Sequence, residues 1–134
     1  MSEAKRKICI VDDDPFLLDM YSLKFQQAGY DVSCFTKSDE ALDALRAGAK
    51  YSGVLLDLVM PQTDGFEMLR IMREENLCDA DTTIVILSKQ WQDKDIERAE
   101  EFGIDGYLIK ANTLPSEVLE YVSNLLDKKA APAA

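Results

Sequence analysis

Asp12, Asp13 and Asp14 stand side by side, directly after the apolar run Ile8–Val11 and directly before Pro15. A fourth aspartate, Asp57, closes the apolar stretch GVLL, Ser88 closes IVIL, and Lys110 follows YLI. One carboxylate is enough to cap a helix, and Asp14, next to a proline suited to the first helical position, is the one placed to do so. Asp12, Asp13 and Asp57 then need another explanation. If they converge to ~5 Å, each pair repels by roughly 3 kcal/mol at an effective dielectric of 20. Three such pairs would remove much of a small domain's stability of ~5–15 kcal/mol. A hard divalent cation relieves that repulsion, and an all-oxygen carboxylate site suits Mg2+. A hydroxyl and an ammonium beside such a cation are the groups that solvate an anion. A phosphoryl group on Asp57 would have the metal on one oxygen, Ser88 on the second and Lys110 on the third.

Taken singly, Ser88 reads as a turn residue and Lys110 as a solvated surface charge. Asp57 resists such a reading, because an ionised carboxylate ending a buried strand destabilises the fold without a partner. What carries the argument is the coincidence of these groups at equivalent places in the fold that the pattern implies. Five short apolar segments (ICIV, VSCF, VLLD, IVIL, YLI) alternate with amphipathic stretches. Four are nearly continuous apolar, as parallel strands covered on both faces must be; DVSCF alternates and belongs at an edge. Between them, helical spacing joins Leu17, Leu18, Tyr21 and Phe25, then Ala41, Leu42 and Leu45 after Ser38, then Phe66, Leu69 and Met72. It continues with Ile96, Ala99 and Phe102, and, after Pro115, with Val118, Leu119, Val122 and Leu125. Gly29, Gly48 and Gly103 follow three of these helices and supply left-handed C-caps. The expected fold is α/β, a doubly wound five-stranded parallel sheet with right-handed crossovers and five helices. Ligands of such sheets bind beyond the carboxyl ends of the strands, where four of the five here end in Asp12–Asp13, Asp57, Ser88 and Lys110.

Bulk composition narrows the function. The 134 residues, 47% of them hydrophobic, suffice for one domain with its own core. That domain is expected over residues 7–127, with residues 1–6 and the tail KKAAPAA (128–134) disordered. No apolar run approaches the ~20 residues that span a bilayer, so no membrane contact and a cytoplasmic location are expected. Twenty-five acidic against 15 basic residues, a net charge of −10, disfavour direct nucleic-acid binding. The chain contains no histidine, which excludes Ser-His-Asp and Cys-His catalysis, histidine metal sites and a phosphohistidine of its own. The first strand runs into DDDPF with no glycine-rich phosphate loop, which disfavours a nucleotide. Cys9, Cys34 and Cys78 lack metal-ligand spacing and read as reduced structural thiols.

Several motifs in order, ICIVDDD (8–14), LLDLVMPQTDGFEML (55–69), IVILS (84–88) and GYLIKA (106–111), make the sequence resemble the receiver domain of bacterial two-component response regulators over about residues 6–126. The resemblance implies a flavodoxin-like sheet of order 2-1-3-4-5. It implies that Asp57 accepts a phosphoryl group, that Asp13 binds Mg2+ directly, that Asp12 acts largely through water, and that Val59 offers its backbone carbonyl. Ser88 matches the switch hydroxyl, Lys110 the phosphate-binding lysine, and Tyr107 an aromatic that changes rotamer on activation. Met60, Pro61, Asp64 and Gly65 shape the loop after Asp57. The implied partners are a sensor histidine kinase or phosphotransfer protein, and a downstream protein on the face of the fourth helix, fifth strand and fifth helix, with a homodimer as a further possibility.

Three positions depart from the family pattern. Lys89 follows Ser88 where a small residue is usual, Val59 is apolar where some members have a polar group, and Ala111 replaces a common proline after Lys110. The first two point to a long-lived phosphoryl group, and the third to a trans peptide at Lys110–Ala111. Two rival readings are a receiver degenerated into an interaction module, opposed by the complete set of five residues, and a phosphohydrolase, opposed by Val59 where a general-acid aspartate would stand. Trp91, three residues past Ser88, is a possible fluorescent reporter of the site or a residue packed at a helix start.

Overall fold

The computed structural model describes residues 6–58, 64–79, 81–89 and 93–130. Val59, Met60, Pro61 and Trp91, singled out above, lie outside the described residues. The elements alternate as expected: β1 (Lys7–Val11), α1 (Pro15–Gln27), β2 (Asp31–Phe35), α2 (Ser38–Arg46), β3 (Gly53–Asp57), α3 (Gly65–Glu74), β4 (Thr83–Ser88), α4 (Asp93–Glu101), β5 (Gly106–Ile109), a 3-10 turn (Lys110–Asn112) and α5 (Pro115–Ala130). The five strands form one parallel sheet of order β2-β1-β3-β4-β5. Alternating DVSCF is indeed an edge strand. The chain leaves β1 towards β2 and then crosses back to β3, so the reversal of strand order falls between the carboxyl ends of β1 and β3.

Strand side chains alternate between two cores. Ile8, Ile10, Leu55, Val85 and Leu87 pack with Leu18, Tyr21 and Phe25 of α1 and Val118, Val122 and Leu126 of α5. Cys9, Val11, Val54, Leu56, Ile84 and Ile86 pack with residues of α2 and α3 and with Ala99 of α4. This two-sided burial explains why the central strands read as unbroken apolar runs. Burial also drives the Cys9 thiol pKa far upward, consistent with an inert core cysteine, and all three cysteines are free.

Local signals act where expected. Asp14 Oδ1 accepts from the amides of Phe16 (3.0 Å) and Leu17 (3.3 Å), starting α1 at Pro15. Asp64 Oδ1 does the same for Glu67 (2.9 Å) at the start of α3. Gly29, Gly48 and Gly103 all have positive φ, as C-caps require. Helix α4 is the weakly anchored element, for only Ala99 among its described side chains is fully buried. Arginines supplement that contact: Arg98 lies 4.1 Å over the Phe66 ring, and Arg73 donates to the Phe102 (2.6 Å) and Gly103 (3.0 Å) carbonyls beyond α4.

Both ends of the domain differ from expectation. Arg6 is tied down, its carbonyl accepting from Asp31 N (2.9 Å) and its guanidinium pairing with Asp127 (2.7 Å). Helix α5 runs three residues past 127, to Ala130, so the stretch expected to be disordered begins as helix. The reason is tertiary: Lys129 Nζ reaches the Thr82 carbonyl (2.7 Å) and Asp105 (3.1 Å), and two lysines in the last turn suit the helix dipole.

Gly65 is the glycine the site depends on. A Cβ there would stand 2.6 Å from both the Asp57 carbonyl oxygen and Leu58 Cα, while Gly65 N donates to Leu58 O at 2.9 Å. Only glycine lets α3 begin against the end of β3. Gly65→Ala is expected to lower stability by ~1–3 kcal/mol in urea unfolding, as overpacking against rigid backbone does; a midpoint equal to wild type contradicts this close approach.

Candidate functional site

Strand register brings the candidate groups to one edge of the sheet. Val11 pairs with Leu56, so Asp12 and Asp57 follow at the same level; Asp57 pairs with Leu87, and Ser88 with Ile109, the residue before Lys110. Asp12, Asp57 and Ser88 are buried, with 0%, 1% and 2% of their surfaces exposed, whereas Asp13 is exposed at the rim. One carboxylate oxygen from each of Asp12, Asp13 and Asp57 lies within 4.8 Å of the others. The carboxyl groups therefore crowd together as the sequence implied.

Lys110 enters this cluster from the far side. Its side chain is 6% exposed, and Nζ stands 3.0 Å from Asp57 Oδ2, as a hydrogen bond, and 2.5 Å from Asp12 Oδ2. Burial alone pushes the lysine pKa down, but the contacts with Asp12 and Asp57 outweigh it and hold the ammonium above its ordinary value. A raised folded-state pKa means that the pair's stabilisation is fully present below the ordinary lysine value of 10.5 and fades only as pH climbs through the higher folded one. The pair is thus intact across neutral pH. Among the described residues there is no cis peptide bond, so Lys110–Ala111 is trans as expected, and a trans bond suffices to bring the ammonium to both carboxylates.

The donor set fits a small, hard cation. Asp12 Oδ1 accepts from the Asp14 amide (2.9 Å), which leaves the buried Oδ2 to the Lys110 ammonium at 2.5 Å. Three carboxylate oxygens within 4.8 Å of one another, with one ammonium among them, are a donor set that a divalent ion satisfies. Lys110 stands in for part of that positive charge.

Tyr107 sits on edge strand β5 opposite Ile86, 40% exposed. Lys89, directly after buried Ser88, is exposed. Sequence reasoning missed Thr113, whose hydroxyl donates to the Ile109 carbonyl (2.8 Å) beside Lys110; a lone threonine in a loop gives no local signal of such a bond. A cleft of about 700 Å³ lies at the opposite, amino-terminal edge of the sheet, among Arg6, Lys7, Lys50, Tyr51, Asp79 and Lys129. Four basic and two acidic side chains line it, with no convergent reactive set, so a large cleft does not mark the site here.

Comparison with known proteins agrees with the geometry. A family model described as the response regulator receiver domain matches residues 8–123. The transcriptional regulatory protein ResD of Bacillus subtilis is 32% identical over 120 residues, covering 90% of this chain and 48% of that protein. The DNA-binding response regulator MtrA of Mycolicibacterium smegmatis is 31% identical over 110 residues, covering 82% of this chain and 46% of that protein. The chain thus spans about half the length of these curated relatives. Among solved structures, the chemotaxis protein CheY4 of Vibrio cholerae superposes with a TM-score of 0.83 at 26% identity, covering 92% of this chain and 100% of that one.

Removing Lys110 tests the electrostatics directly. Lys110→Met is expected to lose ~3–5 kcal/mol of stability in EDTA, because two buried carboxylates then face each other uncompensated, and magnesium should restore a large part. Asp13→Ala should instead raise stability in EDTA by less than ~1 kcal/mol, since its charge is screened by solvent. Urea unfolding with and without magnesium reads both. A Lys110→Met midpoint equal to wild type in EDTA would overturn the buried pairing.

Proposed function

The chain belongs to the response regulator receiver family, and from that membership and the acidic cluster we propose that Asp57 accepts a phosphoryl group from a partner's phosphohistidine. The observation that best supports this is the Lys110 ammonium within 3.0 Å of Asp57 and 2.5 Å of Asp12 at the switch point of the sheet. In the proposed step an Asp57 carboxylate oxygen attacks phosphorus. The bond from phosphorus to the donor's histidine nitrogen breaks, its electron pair stays with that nitrogen, and an acyl phosphate remains on Asp57. Water later cleaves the acyl phosphate, returning phosphate and the free carboxylate. Asp12, Asp13, Asp57 and the Val59 carbonyl would hold a cation, which we take to be Mg2+ and which would supply positive charge to the phosphoryl oxygens.

The chain's own groups do the rest. Asp12 and Asp13 would hold the cation in place, and Gly65 lets α3 start directly against the backbone of Asp57 and Leu58. Phosphorylation gives Asp57 nearly one further negative charge and three acceptor oxygens. Lys110 exchanges its bond to Asp57 Oδ2 for one to the phosphoryl group, and the Ser88 hydroxyl donates to another oxygen. Shifting a two-state equilibrium from 1:99 to 99:1 requires ~5.5 kcal/mol. Two or three charge-assisted hydrogen bonds at ~1.5–3 kcal/mol each are enough. Tyr107 lies on the strand between Ser88 and α5, so repacking there would reach the α4–β5–α5 face, where we place a downstream partner or a second copy. The phosphodonor is a sensor histidine kinase or phosphotransfer protein.

ResD and MtrA are named as a transcriptional and a DNA-binding regulator. Those descriptions apply to whole proteins and do not support the expectation that this chain avoids nucleic acid; its net charge of −10 does. No helix among the described residues is long and apolar enough to cross a membrane. A cytoplasmic location follows from the proposed partnership.

Incubation with acetyl phosphate and magnesium, followed by intact-mass measurement, tests the assignment. A stoichiometric adduct is expected in wild type and none in Asp57→Asn; an adduct that survives in Asp57→Asn refutes it. Absence of any adduct would favour the interaction module, and steady turnover of the phosphodonor the hydrolase. Lys89 is exposed and directly follows Ser88, and we infer that its long side chain hinders the attacking water. Lys89→Ala is therefore expected to shorten the phosphoryl lifetime several-fold, measured by the decay of the adduct.

A further inference from the structure

Lys110 has four rotatable side-chain bonds, and its ammonium meets Asp12 and Asp57 together only if its backbone is held still. It stands at the end of an edge strand. β5 is a four-residue edge strand paired only with β4, and its ladder ends at Ile109. Lys110 is the first residue beyond the sheet, followed by Ala111 and Asn112, which impose no backbone restraint of their own. Yet the turn is ordered as one 3-10 unit, and both carbonyls flanking Lys110 are engaged by one residue. Thr113 Oγ1 donates to Ile109 O at 2.8 Å, and Thr113 N donates to Lys110 O at 3.3 Å.

Thr113 is itself anchored. Leu114 N donates to Glu117 Oε1 at 2.8 Å, and Glu117 N and Val118 N donate back to Leu114 O. This closes the first turn of α5, whose Val118, Val122 and Leu126 are buried against the sheet. Threonine hydroxyls often bond a carbonyl four residues back within a helix. Here Ile109 is the last strand residue, so the bond joins a strand to a turn and spans the lysine.

We propose that Thr113 is a positioning residue for phosphoryl transfer: it hangs the Lys110 backbone from the amino end of α5 and so sets the reach of the ammonium to Asp57. This rests on the function proposed above. The Thr113 hydroxyl touches no reacting atom and acts only through Lys110.

The test compares Thr113→Val, which keeps the shape and removes the donor, with Thr113→Ser, which keeps the donor. Both are made in wild-type and Lys110→Met backgrounds of the full chain. The readout is the rate of adduct formation with acetyl phosphate and magnesium. Thr113→Val is expected to slow it about two- to tenfold, the worth of one hydrogen bond, while Thr113→Ser stays within about twofold of wild type. In the Lys110→Met background Thr113→Val should slow the residual reaction no further. An equal slowing in both backgrounds, or no slowing in wild type, overturns the proposal. If wild type itself takes no phosphoryl group, the proposed function fails, and the positioning role is decided by urea unfolding in EDTA. There, a Thr113→Val effect that shrinks in the Lys110→Met background supports it, and strictly additive effects overturn it. Thr113→Ala replaces valine in both arms if the valine variant does not fold.

Discussion

Everything at the carboxyl edge of this sheet is organised by one electrostatic conflict, two buried carboxylates held within reach of a single ammonium. Asp12 and Asp57 follow adjacent strands at the same level of the register, and their carboxylate oxygens lie within 4.8 Å of each other. Lys110 neutralises part of the charge from the outermost strand. One ammonium against the carboxylates of Asp12, Asp13 and Asp57 leaves negative charge over, which keeps the edge receptive to a second positive charge.

The rest of the architecture keeps that conflict local. Two apolar layers cover the sheet, so the polar groups emerge only where strands end. Asp14 removes itself from the acidic cluster by capping α1, and its amide orients Asp12. Gly65 admits α3 against the backbone of Asp57 and Leu58. Strength is unevenly distributed: α1 and α5 bury several large side chains each, whereas α4 is secured by Ala99, partly buried neighbours and arginine contacts. A face built on such an element is one that a few hydrogen bonds at the site can remodel, because little packing opposes them.

Features encoded within a few residues were legible in the sequence. Continuous apolar runs marked the covered strands, the alternation in DVSCF marked an edge, and Asp14–Pro15, Gly29, Gly48 and Gly103 marked helix ends. The aspartates, Ser88 and Lys110 could be assigned to strand ends for the same reason, since a strand boundary is a local change of pattern. The end of α5 was misjudged because Lys128–Ala130 carries no apolar periodicity; Lys129 is helical there through bonds to Thr82 and Asp105, far away in the chain.

The sequence by itself therefore determined the kinds of element, their order and the chemical groups each delivers, because periodicity and capping act over one or two turns. Only the tertiary structure decided that Asp12, Asp57 and Lys110 touch, that Gly65 must lack a Cβ, and that Thr113 faces the carbonyl beside Lys110. Those facts depend on which strands lie side by side and in what register. Strand order and register are settled by packing two faces of the sheet at once, a cooperative choice that no single stretch of the chain contains.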